Sequence, residues 1–88
     1  MTNKLTIEHI QNVIVDEEYI FNGTLTICIL TLKNGFKVIG ESTCLNADNY
    51  NEEIGKDIAH INAASKIWDL EGYLLTQKRY EEQKNAKG

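Results

Sequence analysis

Proline is absent from this sequence altogether, which removes the commonest punctuation of a linker or domain boundary. Cysteine is scarce: Cys28 and Cys44 allow at most one bridge, too few for a disulfide framework. No stretch approaches the roughly 20 consecutive apolar residues that cross a bilayer. The opening MTNKLTIEHIQ lacks the apolar core of a secretory signal. Together these absences predict a soluble protein in a reducing cytosol, with both thiols free and no membrane partner. Basic residues are also few, nine Lys and Arg against thirteen Asp and Glu, for a net charge of −4 and a pI near 5.0. A protein that neutralises many phosphates needs a basic face, so a DNA or RNA partner is not expected. A small anionic ligand needs only a cation or two and a helix N-terminus, and stays open. With no repeat or low-complexity stretch, the 88 residues read as a single domain, 1–88, with a polar tail over about 81–88.

What is present points to an α+β fold. Residues 6–15 read as a short N-terminal helix, capped by Thr6 and carrying Ile7, Ile10 and Ile14 at helical spacing. The acidic run Asp16-Glu17-Glu18 is expected to end it. Tyr19-Ile20-Phe21 then forms a strand stopped at Asn22-Gly23. Residues 24–32 and 36–42 are β-rich runs around Asn34-Gly35, the strongest short hairpin signal. A two-residue turn there pairs Leu30 with Ile39 and Ile29 with Gly40. It puts Ile27 and Ile29 on one face and Cys28, Leu30, Leu32 and Ile39 on the other. Both faces are apolar, and one helical layer covers only one of them. For a chain this short, a second copy is the economical cover, giving an oligomer-completed core.

The last third reads as one long or broken C-terminal helical pair. Asn49 and Glu52 resemble a capping box, and Ile54, Ile58, Ile61, Ser65 and Trp68 follow at alternating spacings of four and three. Gly72 marks a close contact or a break, at about 1 kcal/mol against alanine. Trp68 and Tyr73 are assigned to the core, the usual place for aromatics in a helical run.

No catalytic signature emerges. His9 and His60 sit in no nucleophile or zinc motif. Cys28 alternates within a strand as a small buried hydrophobe, and Cys44 lies in a loop with no activating cluster. A metal site would have to gather both cysteines and both histidines without any short ligand spacing. The reading is a non-enzyme with no cofactor. Three residues suit ligand binding. Arg79, the sole arginine, offers a planar fork for phosphate or a purine face, although a surface arginine is usually just a solvated charge. Asn62 brings an amide beside the apolar stripe, either meeting solvent or reading a base or ribose edge. Tyr50, just before the main helix, stacks on a base or simply staples the helix start. From the residues alone the plainer role is favoured for each.

Several blocks go further. Thr24-Leu25-Thr26-Ile27-Cys28, Leu32-Lys33-Asn34-Gly35-Phe36, Gly40-Glu41-Ser42, Glu53-Ile54-Gly55 and Leu70-Glu71-Gly72-Tyr73-Leu74-Leu75 resemble a family of small bacteriophage proteins. That family is identified as the one that includes the first described Thoeris anti-defence proteins. The resemblance implies a sponge that holds a cyclic ADP-ribose messenger without cleaving it, in the cytoplasm of the infected bacterial host. It implies dimers assembled into a hexamer, a trimer of dimers, with the ligand between protomers. A second site for the cyclic di- or trinucleotides of CBASS is part of the same expectation. Asn62, Arg79 and Tyr50 stand where ligand-contacting residues are expected, Tyr50 in place of a common phenylalanine. Thr43 departs from the alanine often found after Gly-Glu-Ser, and the N-terminal region is shorter than in many relatives.

Overall fold

A computed structural model describes residues 5–86 of the chain. In order, the elements are helix α1 (Ile7–Asn12), strands β1 (Ile14–Asn22), β2 (Leu25–Leu32) and β3 (Lys37–Thr43), a 3-10 turn (Ala47–Asn49) and helix α2 (Glu52–Ala86). The strands form an antiparallel sheet in the order β1-β2-β3. The expected α+β architecture is therefore present, with α2 as one unbroken helix rather than a pair. Of the expected polar tail, residues 81–86 continue α2, and 87–88 lie outside the described residues.

Thr6 caps α1 as expected, its hydroxyl accepting from the His9 N–H at 3.1 Å. The helix nevertheless stops at Asn12, and the acidic run belongs to β1. Ile14 is thus a strand residue, and Ile7 is exposed. An edge strand tolerates Asp16, Glu17 and Glu18 because its outer rim meets water, where charge also discourages stray pairing. A bulge between Ile14 and Asp16 adjusts the register at the strand's start.

The hairpin signal at Asn34-Gly35 holds, but its register is one residue different. Leu30 pairs with Val38, Ile29 with Ile39 and Cys28 with Gly40. Within this turn only Gly35, at φ 90°, adopts a positive φ; no described non-glycine residue does. The loop is therefore Lys33-Asn34-Gly35. It is closed by Leu32 N–H donating to the Phe36 carbonyl at 2.8 Å, by Gly35 N–H donating to the Leu32 carbonyl at 2.8 Å, and by the Asn34 side chain accepting from Phe36 N–H at 3.0 Å. A three-residue loop ending in a left-handed glycine needs one permissive residue, where the two-residue turn needs two. The shift moves Ile39 to the face of Ile27 and Ile29.

The largest correction concerns α2. Its cap is Asn51, not Asn49: the Asn51 side chain accepts from Glu53 N–H (2.9 Å) and Ile54 N–H (3.2 Å). Replacing Asn51 with alanine should cost about 1 kcal/mol in a urea titration, because both N–H groups lose their acceptor. The face laid on the sheet is Gly55, Ala59, Ala63 and Ile67, one small residue per turn and then an isoleucine. Ile54, Ile58, Ile61 and Trp68 instead face away from the sheet and are exposed, as is Tyr73. Close approach explains the choice. A Cβ on Gly40 of β3 would lie 2.1 Å from the Ala63 backbone nitrogen, so only small side chains fit at this crossing. Cys28, Leu30, Leu32 and Val38 fill the space beside it.

Helix α2 is about 52 Å long at 1.5 Å per residue, within a molecule 63 Å in its longest dimension. It extends well beyond the sheet. Its far half is met by α1, where the position of a Gly72 Cβ lies 4.0 Å from Leu5 Cδ1 and His9 Nε2 sits 2.5 Å from Glu71 Oε1. Gly72 therefore marks a contact, not a break. No described helix is long and apolar enough to cross a membrane.

Candidate functional site

Asn62 and Lys66 are one helical turn apart, so they share a face of α2. With Ile39, Gly40 and Glu41 they line an open hollow of about 480 Å³. A neighbouring hollow of about 460 Å³ shares Ile39 and Lys66 and adds Phe36, Lys37, Asp69 and Leu70. The two make a groove along the outer side of β3. The Asn62 amide donates to the Glu41 carbonyl at 2.8 Å, which orients its side chain and leaves its carbonyl oxygen as an acceptor. Lys37 is held by donating to Thr31 Oγ1 at 2.8 Å. The groove thus combines two lysines, the carboxylates of Glu41 and Asp69, an amide and an exposed phenylalanine ring. Its formal charges balance, and its polar groups beside an aromatic face suit a flat ring that carries both donors and acceptors. Lys37, Lys66 and Phe36 were not singled out from the sequence. Lys66 had a usable signal, its spacing of four from Asn62.

Tyr50 lies elsewhere. It is half-buried at the start of α2, its hydroxyl 3.3 Å from Thr26 Oγ1 and its ring against Gly55. Arg79 is exposed on the far half of α2. Along a straight helix, about 25 Å separates Asn62 from Arg79. One subunit does not bring the three expected ligand residues together.

A second polar cluster joins β1 to α2. The Tyr19 hydroxyl donates to Glu17 and lies 3.4 Å from His60 Nδ1, while Lys56 Nζ stands 5.0 Å from the ring centroid. Burial first, and then the hydrogen bond to Glu17, push the Tyr19 phenol above its ordinary range. Burial likewise raises the Cys28 thiol, which has no exposed surface. Cys44 is half-buried, its thiol 3.1 Å from the Asn46 carbonyl. In native protein a small maleimide should label Cys44 alone, with Cys28 joining only in denaturant; mass spectrometry reads one adduct and then two. Among the described residues no group of three or more His, Cys, Asp or Glu side chains is placed to hold a metal.

A family model covers residues 5–79, that of the phage protein (N4 Gp49/phage Sf6 gene 66) family. The chain belongs to this family, so the resemblance to small bacteriophage proteins stands. No curated protein and no solved structure matches it.

Proposed function

We propose that this phage protein is an anti-defence sponge. It binds a cyclic ADP-ribose messenger of Thoeris immunity in the cytoplasm of the infected host and withholds it intact from the effector. The observation that carries the reading is the groove along β3, whose two adjoining hollows are lined by Asn62, Lys66, Lys37 and Phe36 together with Glu41 and Asp69. Family membership supports the phage setting. The spread of Tyr50, Asn62 and Arg79 along one subunit is consistent with a ligand held between protomers of a dimer or a hexamer built from dimers. CBASS cyclic di- or trinucleotides would occupy a further site.

The affinity such a role needs is within reach. A messenger of about 35 heavy atoms at about −0.3 kcal/mol per atom gives roughly −10 kcal/mol, or tens of nanomolar. Sequestration requires tight binding and slow release, not turnover. Protein incubated with cyclic ADP-ribose isomers, washed and then heat-denatured should release intact ligand. Degraded product, or nothing retained, would overturn the reading. Arg79→Ala should reduce retention at least tenfold while leaving the assembly unchanged by sedimentation.

A second reading draws on a different observation, the exposed stripe of Ile54, Ile58, Ile61 and Trp68 on α2. Such a face suits an inhibitor that docks on a host protein. A stoichiometric host partner together with no retained nucleotide would favour it.

A further inference from the structure

Strand β3 closes one side of the sheet, so half of its backbone groups have no neighbouring strand to pair with. Which half is fixed by the two ends of the ladder. Leu32 N–H donates to the Phe36 carbonyl at 2.8 Å, and Cys44 N–H donates to the Thr24 carbonyl at 3.2 Å. Antiparallel pairs between those ends alternate. Val38, Gly40 and Ser42 therefore exchange bonds with β2, while Lys37, Ile39 and Glu41 turn both their N–H and their carbonyl outward. Glu41 shows the same sense directly, because the Asn62 amide reaches its carbonyl from α2. Among the described residues no side chain bonds the equivalent pair at Ile39. That pair lies where the two hollows of the groove meet, since Ile39 lines both.

We infer that the backbone N–H and carbonyl of Ile39 read the edge of the messenger's base, which makes Ile39 the residue that sets base specificity. The inference rests on the functional reading above and names the atoms that select its ligand. An outward strand residue offers one donor and one acceptor side by side. A flat base answers both only where it carries an acceptor next to a donor on one edge. A 6-aminopurine does so, with a ring nitrogen beside its amino group. The chain already displays half of this mode one step along the strand, where the Asn62 amide donates to an outward carbonyl. A base bound at Ile39 continues the plane of the sheet. Lys66, which lines both hollows from α2, lays its methylene stem over one face of the ring.

The side chains of the groove carry little of this selectivity. Lys37 is engaged with Thr31, and the amide nitrogen of Asn62 is engaged with Glu41. Lys37 and Lys66 are balanced by Glu41 and Asp69, so net charge does not choose the ligand. A site built on paired donors and acceptors discriminates by hydrogen-bond pattern instead. It rejects an analogue that lacks one partner group, because the group on the protein is then left unpaired.

Equilibrium dialysis with two ligands tests it. One is a cyclic ADP-ribose isomer whose adenine ring nitrogens and amino group are unsubstituted; the other is its analogue with hydrogen in place of the 6-amino group. Wild-type protein should bind the first about tenfold more tightly, the worth of one hydrogen bond in such a site. Ile39→Pro removes the outward N–H and no ladder bond, the one kind of strand position where proline is tolerated. It should weaken the adenine ligand about tenfold with an unchanged circular dichroism spectrum. Ile39→Ala keeps both backbone groups and should bind nearly as wild type does. If Ile39→Pro proves misfolded, an ester in place of the amide N–H at residue 39, introduced by chemical synthesis, removes the same donor and decides the matter. Equal binding of the two ligands by wild type would overturn the base-edge reading, as would an Ile39→Ala loss as large as that of Ile39→Pro, or full binding by the N–H-deleted chain. In each of those cases the sponge reading stands. Binding of neither ligand would remove both.

Discussion

Gly40→Ala should leave the chain unable to fold. The new methyl carbon would sit 2.1 Å from the Ala63 nitrogen, 2.2 Å from the Ala59 carbonyl oxygen and 2.7 Å from the Ala63 Cα. All three are backbone atoms of one helix, so no side chain can swing aside. The helix would have to lift from β3, opening the contacts that bury Cys28, Leu30 and Val38. Overpacking alone costs about 1–3 kcal/mol where neighbours can shift. Here the neighbour is a rigid helix, and a small domain holds only about 5–15 kcal/mol in total. Circular dichroism and a urea titration should show a chain without a cooperative transition. Gly55→Ala is the informative contrast. Its Cβ would meet the Thr26 hydroxyl at 2.8 Å, a side-chain atom, and alanine gains about 1 kcal/mol of helix propensity over glycine. It should fold with only a small change.

Leu30→Ala carries the second large effect. Leu30 has no exposed surface and lies in the middle of the central strand, paired to Glu17 on one side and Val38 on the other. Its side chain fills the layer between sheet and α2, where β2 residues alternate buried and half-buried. Truncation removes apolar contact and leaves a cavity that fixed backbone on three sides keeps from closing. The expected loss is about 2–5 kcal/mol, read as a lower urea midpoint at unchanged slope. The same truncation at Ile58, exposed on the far side of α2, should barely alter the fold of the subunit. Equal losses at the two positions would mean that the core has been assigned to the wrong face of the helix.

That assignment is where sequence reasoning reached its limit. The stripe from Ile54 to Trp68 was legible as a helix face, and its regularity was correct. Periodicity reports that a face is apolar, not which partner covers it. The partner of the subunit's own sheet turned out to be Gly55, Ala59 and Ala63, residues whose individual hydrophobicity is slight. They win because the backbone of β3 at Gly40 approaches closely enough to exclude anything larger, a constraint visible only in three dimensions. The acidic run 16–18 misled for a related reason. Its charge argues for a break when read alone, yet pairing with β2 and an edge position make it a strand. In the hairpin, Asn34-Gly35 named the turn correctly. The one-residue difference in register arose because Gly35 alone takes the left-handed conformation while Asn34 uses its side chain as an acceptor. The caps divided similarly, Thr6 being read correctly and Asn51 being displaced by two positions to Asn49. In the candidate site, Asn62 was legible as a polar group beside an apolar helix face. The company it keeps was not, since Lys37 and Phe36 arrive from the start of β3 and the residue before it, and only the fold brings them to Lys66.

Native mass spectrometry after exposure to a panel of cyclic nucleotides, with cyclic ADP-ribose isomers among them, bears most directly on the claim that subunits join and hold a messenger. The expected species is a dimer, or a multiple of dimers, of 10.0 kDa chains carrying a cyclic ADP-ribose isomer at its unaltered mass. A bare monomer, or an assembly that emerges empty from every nucleotide offered, would contradict it.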